Sequence, residues 1–121
     1  MGTSVRITDL FKHIPVRRQT SLKNTTKTLV RVKKLVHAYA IAQPGKRLSL
    51  RVLKARTEAN NWMYAPGQST TLLDAALKVV GTDAASCLVR EWPPTDGSDQ
   101  ALQKEQAGFR IIALFPDPSG T

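Results

Sequence analysis

Apolar and polar positions along the chain change period several times, and each change marks an element. Over residues 3–11 (TSVRITDLF), Val5 and Ile7 alternate with Ser4, Arg6 and Thr8. Period-two alternation predicts a half-buried strand. Pro15 ends it, since proline fixes its own φ and pushes Ile14 towards an extended backbone. Residues 21–42 take a helical period instead, with Leu22, Leu29, Val32, Val36 and Tyr39 or Ala40 near one face. Lys23, Lys27, Arg31 and Lys34 recur at helical spacing and form a stripe on another face. Asn24 or Thr25 suits the N-cap, and Gln43, Pro44 and Gly45 form a stop. A helix of about 18 to 20 residues would be close to ~30 Å long.

Over residues 47–55, Leu48, Leu50 and Val52 alternate with basic residues, which predicts a strand with one charged face. Residues 58–61 read as a turn, and Trp62, Met63 and Tyr64 as the returning strand of a hairpin. Residues 70–80 form a second predicted helix, with Leu72, Leu73, Ala76, Leu77 and Val80 on its apolar face and Gly81 at its C′ position. Residues 84–92 predict a strand. Residues 93–106 are polar and turn-rich and predict a mobile loop. Residues 107–115 predict the last strand. This order of elements implies an α+β fold, helices packed on a sheet, with no internal repeat.

Length adds little beyond a single domain with a modest core. Charge adds more. The net charge of +9 is segregated: residues 1–56 carry 14 lysines and arginines against one acid, Asp9, whereas residues 57–121 carry four against eight acids. Solubility calls for mixed charge, so a one-sided basic segment points to a polyanionic partner. Nucleic acid is the first candidate and an anionic membrane surface the second. The membrane reading is disfavoured because the basic helix lacks large aromatic anchors opposite its charges. No apolar run reaches the ~18 residues that span a bilayer. The start carries no secretory signal pattern. The single cysteine, Cys87, has no partner for an internal disulfide and fits a reducing compartment, cytosol or nucleus.

Candidate chemistry is sparse. His13 and His37 are far apart and Cys87 has no second cysteine nearby, so no metal cluster is expected. Phosphate-binding glycine loops and nucleophile elbows are absent. Arg17 and Arg18 are candidate phosphate contacts, because guanidinium forks match phosphate oxygens; the alternative is a solvated turn. The stripe Lys23, Lys27, Arg31 and Lys34 either tracks a DNA backbone or is simply the solvent face of an amphipathic helix. The lack of any acid between Lys12 and Arg56 favours the first. Lys46, Arg47, Arg51, Lys54 and Arg56 either extend the patch or protect a strand edge. Trp62 and Tyr64 read as packing rather than base-stacking residues, His37 as a helix-surface or partly buried residue rather than a ligand, and Cys87 as a packing residue.

The run Gly2, Thr3, Ser4, Val5, Arg6, Ile7, Thr8, Asp9, Leu10, Phe11, followed by Pro15, Val16, Arg17 and Arg18, resembles the GT-x-V-x-V-x-x-L-F…P-[VA]-R-[RK] signature of MutL homologues. Residues 39–42 and 47–50, then 74–77 and 80–82, then 107–109 follow in the family's order. Among branches the chain looks most like the eukaryotic post-meiotic-segregation type, of fungal origin. The resemblance implies a ribosomal S5 domain 2-like transducer domain, incomplete at its C-terminus, preceded by the last strand of a GHKL-type ATPase domain. It implies DNA mismatch repair, response to DNA damage, sequence-independent binding of double-stranded DNA, a second MutL homologue as heterodimer partner, and the nucleus. Gly2 and Thr3 would contact ATP in an intact parent that also binds magnesium. Arg17 and Arg18 would lie in the DNA-binding groove. The ATPase core motifs are missing from this sequence, so residues 1–121 read as a single fragment that holds no cofactor and hydrolyses no ATP by itself.

Two functions fit these expectations. One is electrostatic duplex binding, with phosphate contacts positioning the DNA and no element reading bases. The other is a structural transducer and dimerisation module without direct DNA contact. The first requires the basic groups to gather on one surface. The second predicts bare apolar surface.

Overall fold

The computed structural model describes residues 1–93 and 108–119. Its elements are α1 (Pro15–Lys23), α2 (Thr25–Ala42), β1 (Leu48–Leu50), β2 (Trp62–Tyr64), α3 (Leu72–Val80), a 3-10 turn (Thr82–Ser86), β3 (Cys87–Trp92) and β4 (Ile111–Pro116). The fold is mixed α+β, as the pattern predicts. The strands form two separate antiparallel pairs, β1 with β2 and β3 with β4, rather than one sheet.

Residues 1–8 carry no regular structure, which corrects the strand expected over residues 3–11. Val5 and Ile7 are 81% and 74% exposed. Period-two alternation specifies a strand only where a neighbouring strand takes up its backbone groups and a core covers one face. The described residues supply neither. The chain turns instead at Asp9–Ile14, where Lys12 N–H donates to Asp9 C=O and Ile14 N–H to Phe11 C=O. Asp9 and Phe11 take left-handed φ values of 52° and 66° in that turn.

The single helix expected over residues 21–42 is two helices. Pro15 does not merely end the preceding segment; it starts α1 from its N1 position, where its missing N–H costs nothing. The break falls at Asn24, φ −104° and ψ 21°. Its side-chain amide donates back to Thr20 C=O at 3.0 Å, a local bond that competes with helix continuation.

The core gathers where α2, the β1–β2 hairpin and α3 meet. Ala40, Tyr64 and Ala75 are buried there, with Leu48, Trp62 and Val79 packed around them. Two alanines at the helix contact let α2 and α3 approach closely. The hairpin register pairs Leu48 with Tyr64 and Leu50 with Trp62. Leu48, Leu50 and Val52 are half-buried as alternation requires. Val52 N–H donates to Asn61 Oδ1 at 2.8 Å and closes the loop below the ladder. The core-facing residues of α3 include Ala75 and Val79; Leu77 and Val80, expected on that face, are exposed.

β3 and β4 pair over six positions each, from Cys87 with Pro116 to Trp92 with Ile111. The strand expected over residues 84–92 thus starts three residues late, after the 3-10 turn. β4 also starts later than expected, at Ile111. From residue 94 to residue 106 the expected mobile loop lies outside the described residues.

Candidate nucleic-acid interface

The ends of α1 and α2 contravene helix electrostatics. A helix start carries partial positive charge and unpaired N–H groups, so acids and side-chain caps belong there. α1 has neither: its N-cap is Ile14, and Arg17 and Arg18 sit in its first turn. α2 has neither as well: Asn24 makes no side-chain cap bond, and Lys27 lies in its first turn. Each misplaced charge is disfavoured by roughly 0.3–1 kcal/mol at low salt. α3 obeys every one of these rules. Thr71 caps it, Asp74 closes a reciprocal capping box, and Lys78 stands in the last turn. The Asp74 carboxyl is held below the usual carboxylate pKa range, first by the backbone N–H of Thr71 and then by its hydroxyl. The misplacement is therefore confined to the basic half of the molecule, and an anionic partner would relieve it.

The stripe gathers on one side of α2. At about 100° per residue, Lys27, Arg31 and Lys34 share a narrow arc, on the far side of the helix from half-buried Leu29 and Val36 and buried Ala40. Lys23, at the end of α1, is exposed beside the break. None of these cations, nor Arg17 or Arg18, joins an ion pair among the described residues; the salt bridge found there links Arg110 to Glu91.

Arg17 and Arg18 part company. Arg17 lines a concavity at the α1–α2 break together with Arg31, Thr20, Ser21, Asn24 and Thr28. Arg18 lies in a different shallow cleft with Lys12, Gln19 and Leu22. Adjacent helical residues point about 100° apart, so the two line different hollows. That Arg17 and Arg31 line the same hollow was missed by sequence reasoning. The spacing 17, 20/21, 24, 28, 31 is a helical ridge, but the expected single helix began at residue 21 and hid it.

Gly2 and Thr3 lie in the extended, exposed N-terminal segment, and a Cβ at Gly2 would meet open space. They take no part in the concavity. Arg47 and Arg51 line a separate hollow on the β1–β2 hairpin that also holds Glu58. Trp62 and Tyr64 are packing residues: Trp62 lies 4.6 Å from the His37 ring and 6.2 Å from the Tyr64 ring between centroids. The Tyr64 hydroxyl donates to Pro44 C=O. His37 Nε2 is buried without a hydrogen-bond partner. Cys87 is a half-buried free thiol. Among the described residues no cluster of His, Cys, Asp and Glu could hold a metal ion, and no helix is long and apolar enough to cross a membrane.

The fold and this surface define a small α+β unit with a basic helical face. Comparison with known proteins adds a likeness. The chain is 34% identical over 87 residues to the DNA mismatch repair protein MutL of Halobacterium salinarum, strain R1, and equally to that of strain NRC-1. The matched stretch is 72% of this chain and 12% of the relatives' length. The chain thus resembles MutL proteins over a small part of their length. No protein-family profile matches the chain, and no solved structure matches it.

Proposed function

We propose that the chain serves DNA mismatch repair as a duplex-binding part of a longer MutL homologue, gripping DNA without reading its sequence. The supporting observation is the exposed face of α2 and the α1–α2 break, where basic residues stand unpaired at uncapped helix starts. Phosphates brought there would release counterions and relieve the clash between the basic side chains and the helix dipoles. The resemblance to the post-meiotic-segregation branch extends the proposal. The parent works in the nucleus with a second MutL homologue, Gly2 and Thr3 meet ATP only in the intact protein, and the two small sheets belong to a ribosomal S5 domain 2-like sheet.

Fluorescence anisotropy with a labelled duplex across a salt series tests the proposal. Wild type should weaken linearly with log salt. Lys27→Glu/Lys34→Glu should bind more weakly, with a slope shallower by about two. A folded wild type that binds no duplex at low salt sinks the proposal.

One observation favours a second reading, a structural coupling module. The β3–β4 ribbon carries apolar side chains on both faces, and many of them are exposed among the described residues. Leu88, Phe115, Trp92 and Ile111 stand on one face and Val89 and Ile112 on the other, each 40–54% exposed. Two-stranded ribbons are marginal without cover.

A further inference from the structure

Two places in the chain carry a pair of basic residues three and two positions before a hydroxyl: Arg17 and Arg18 before Thr20, and Lys46 and Arg47 before Ser49. That spacing is a charge pattern by which arginine-directed serine/threonine kinases select substrates, through carboxylates that pair with the basic groups. A kinase cleft takes its substrate as a short extended segment freed from the fold, so local structure decides which hydroxyl it can reach. Ser49 stands in β1, paired with Met63 in the hairpin ladder, between half-buried Leu48 and Leu50. Freeing it would disturb the packing of Leu48 on Ala40, Tyr64 and Ala75. Thr20 stands in α1, which buries no residue and has no side-chain cap. The apolar residues to either side of it, Val16 and Leu22, are 75% and 67% exposed. A nine-residue helix without burial has little to hold it together and opens locally at small cost. Thr20 is itself exposed, and what ties its hydroxyl is a bond to Val16 C=O at 2.9 Å, which the same opening releases.

We propose that Thr20 is a phosphorylation site for an arginine-directed serine/threonine kinase, and that its phosphate turns off the basic surface assigned above to duplex DNA; the second half rests on that assignment. The kinase moves the γ-phosphoryl group of ATP to Thr20 Oγ1. The bond from the β–γ bridging oxygen to the γ-phosphorus breaks, an Oγ1–phosphorus bond forms, ADP leaves, and the hydroxyl proton passes to the carboxylate base of the kinase. The product carries about −1.5 to −2 charges at neutral pH. Residues 15–23 hold Arg17, Arg18 and Lys23 and no acid, so one phosphate offsets most of the charge of α1. Arg17 and Lys23 stand three residues before and after Thr20, and side chains at that spacing are neighbours on a helix surface. The new phosphate therefore competes with DNA phosphates for these cations and repels the duplex, which removes part of the gain from counterion release.

Two measurements test this. The whole chain is incubated with magnesium ATP and the catalytic subunit of a cyclic-AMP-dependent protein kinase, and the phosphate is located by peptide mass spectrometry. Thr20 should be modified and Ser49 should not; Thr20→Ser should still accept the phosphate and Thr20→Ala should not. In labelled-duplex anisotropy at low salt, the phosphorylated chain should bind about tenfold more weakly than the untreated chain, with a salt slope shallower by about two. The affinity of Thr20→Ala should be the same before and after kinase treatment. A folded chain left unmodified at Thr20, or modified at Ser49 instead, overturns the site. Phosphate at Thr20 with duplex affinity unchanged overturns the switch and leaves duplex binding intact. An untreated wild type that binds no duplex overturns the duplex reading and the switch with it, while the mapped phosphate still decides the site.

Discussion

His37 shows what one residue can hide. It projects from α2 towards the hairpin, its ring 4.6 Å from that of Trp62 and its Nε2 buried without a partner. Burial first, and then the Lys33 charge, hold its pKa below the ordinary histidine value. The folded chain therefore resists protonation that the unfolded chain accepts from about pH 6.5 downward. Stability should be intact above that pH and fall as pH drops from there through the lowered folded pKa. Urea midpoints at a series of pH values should show this loss, and His37→Gln should flatten it; an unchanged slope in the variant would remove His37 as the cause. Tyr64 is the second residue to test. Its hydroxyl reaches Pro44 C=O from the core, and Tyr64→Phe should cost about 1 kcal/mol by denaturant unfolding. None of this was visible in the sequence, where His37 read as a helix-surface or partly buried residue and Tyr64 as packing, since their partners come from other elements.

At the scale of elements, α3 was the most legible. Its cap, its acid at N3 and its terminal glycine are local signals, and local signals survive folding. Thr71→Ala should destabilise the chain by about 1 kcal/mol, because it removes one half of the capping box. Gly81 takes φ 93°, a conformation that strains any L side chain. Gly81→Ala should therefore also lower the thermal midpoint, although a Cβ there would meet no atom within 4 Å. The inward face of α3 was only half legible. Alanine and valine at positions 75 and 79 face α2 and the hairpin, whereas Leu77 and Val80 face out. Hydrophobicity alone could not choose between these overlapping arcs. The Asn24 break was half legible: Asn24 or Thr25 read as an N-cap, and Asn24 is the N-cap of α2, but no period showed that residues 15–23 form a helix of their own.

The molecule as a whole divides by charge. The basic half carries helices with uncapped, cationic starts; the other half carries a well-capped helix and an apolar ribbon. The ribbon predicts behaviour of its own. Leu88 and Phe115 pair across β3 and β4 on one face and are 40% and 54% exposed. Wild type should self-associate with rising concentration in sedimentation velocity, and Leu88→Ser/Phe115→Ser should reduce this while leaving duplex affinity unchanged. A variant that loses DNA binding along with self-association would tie the two surfaces together.

The sequence by itself determined the charge segregation, the hairpin, α3 with its caps, and the family resemblance. These depend on composition, on period, or on residues within a turn of one another. Tertiary structure decided the rest. It withheld a strand from residues 3–8, because alternation needs a partner strand, and it left two strand pairs in place of one sheet. It placed Arg17 and Arg18 in different hollows and lined one of them with Arg17 and Arg31, because residues 15–23 form a helix that the period of the sequence did not reveal.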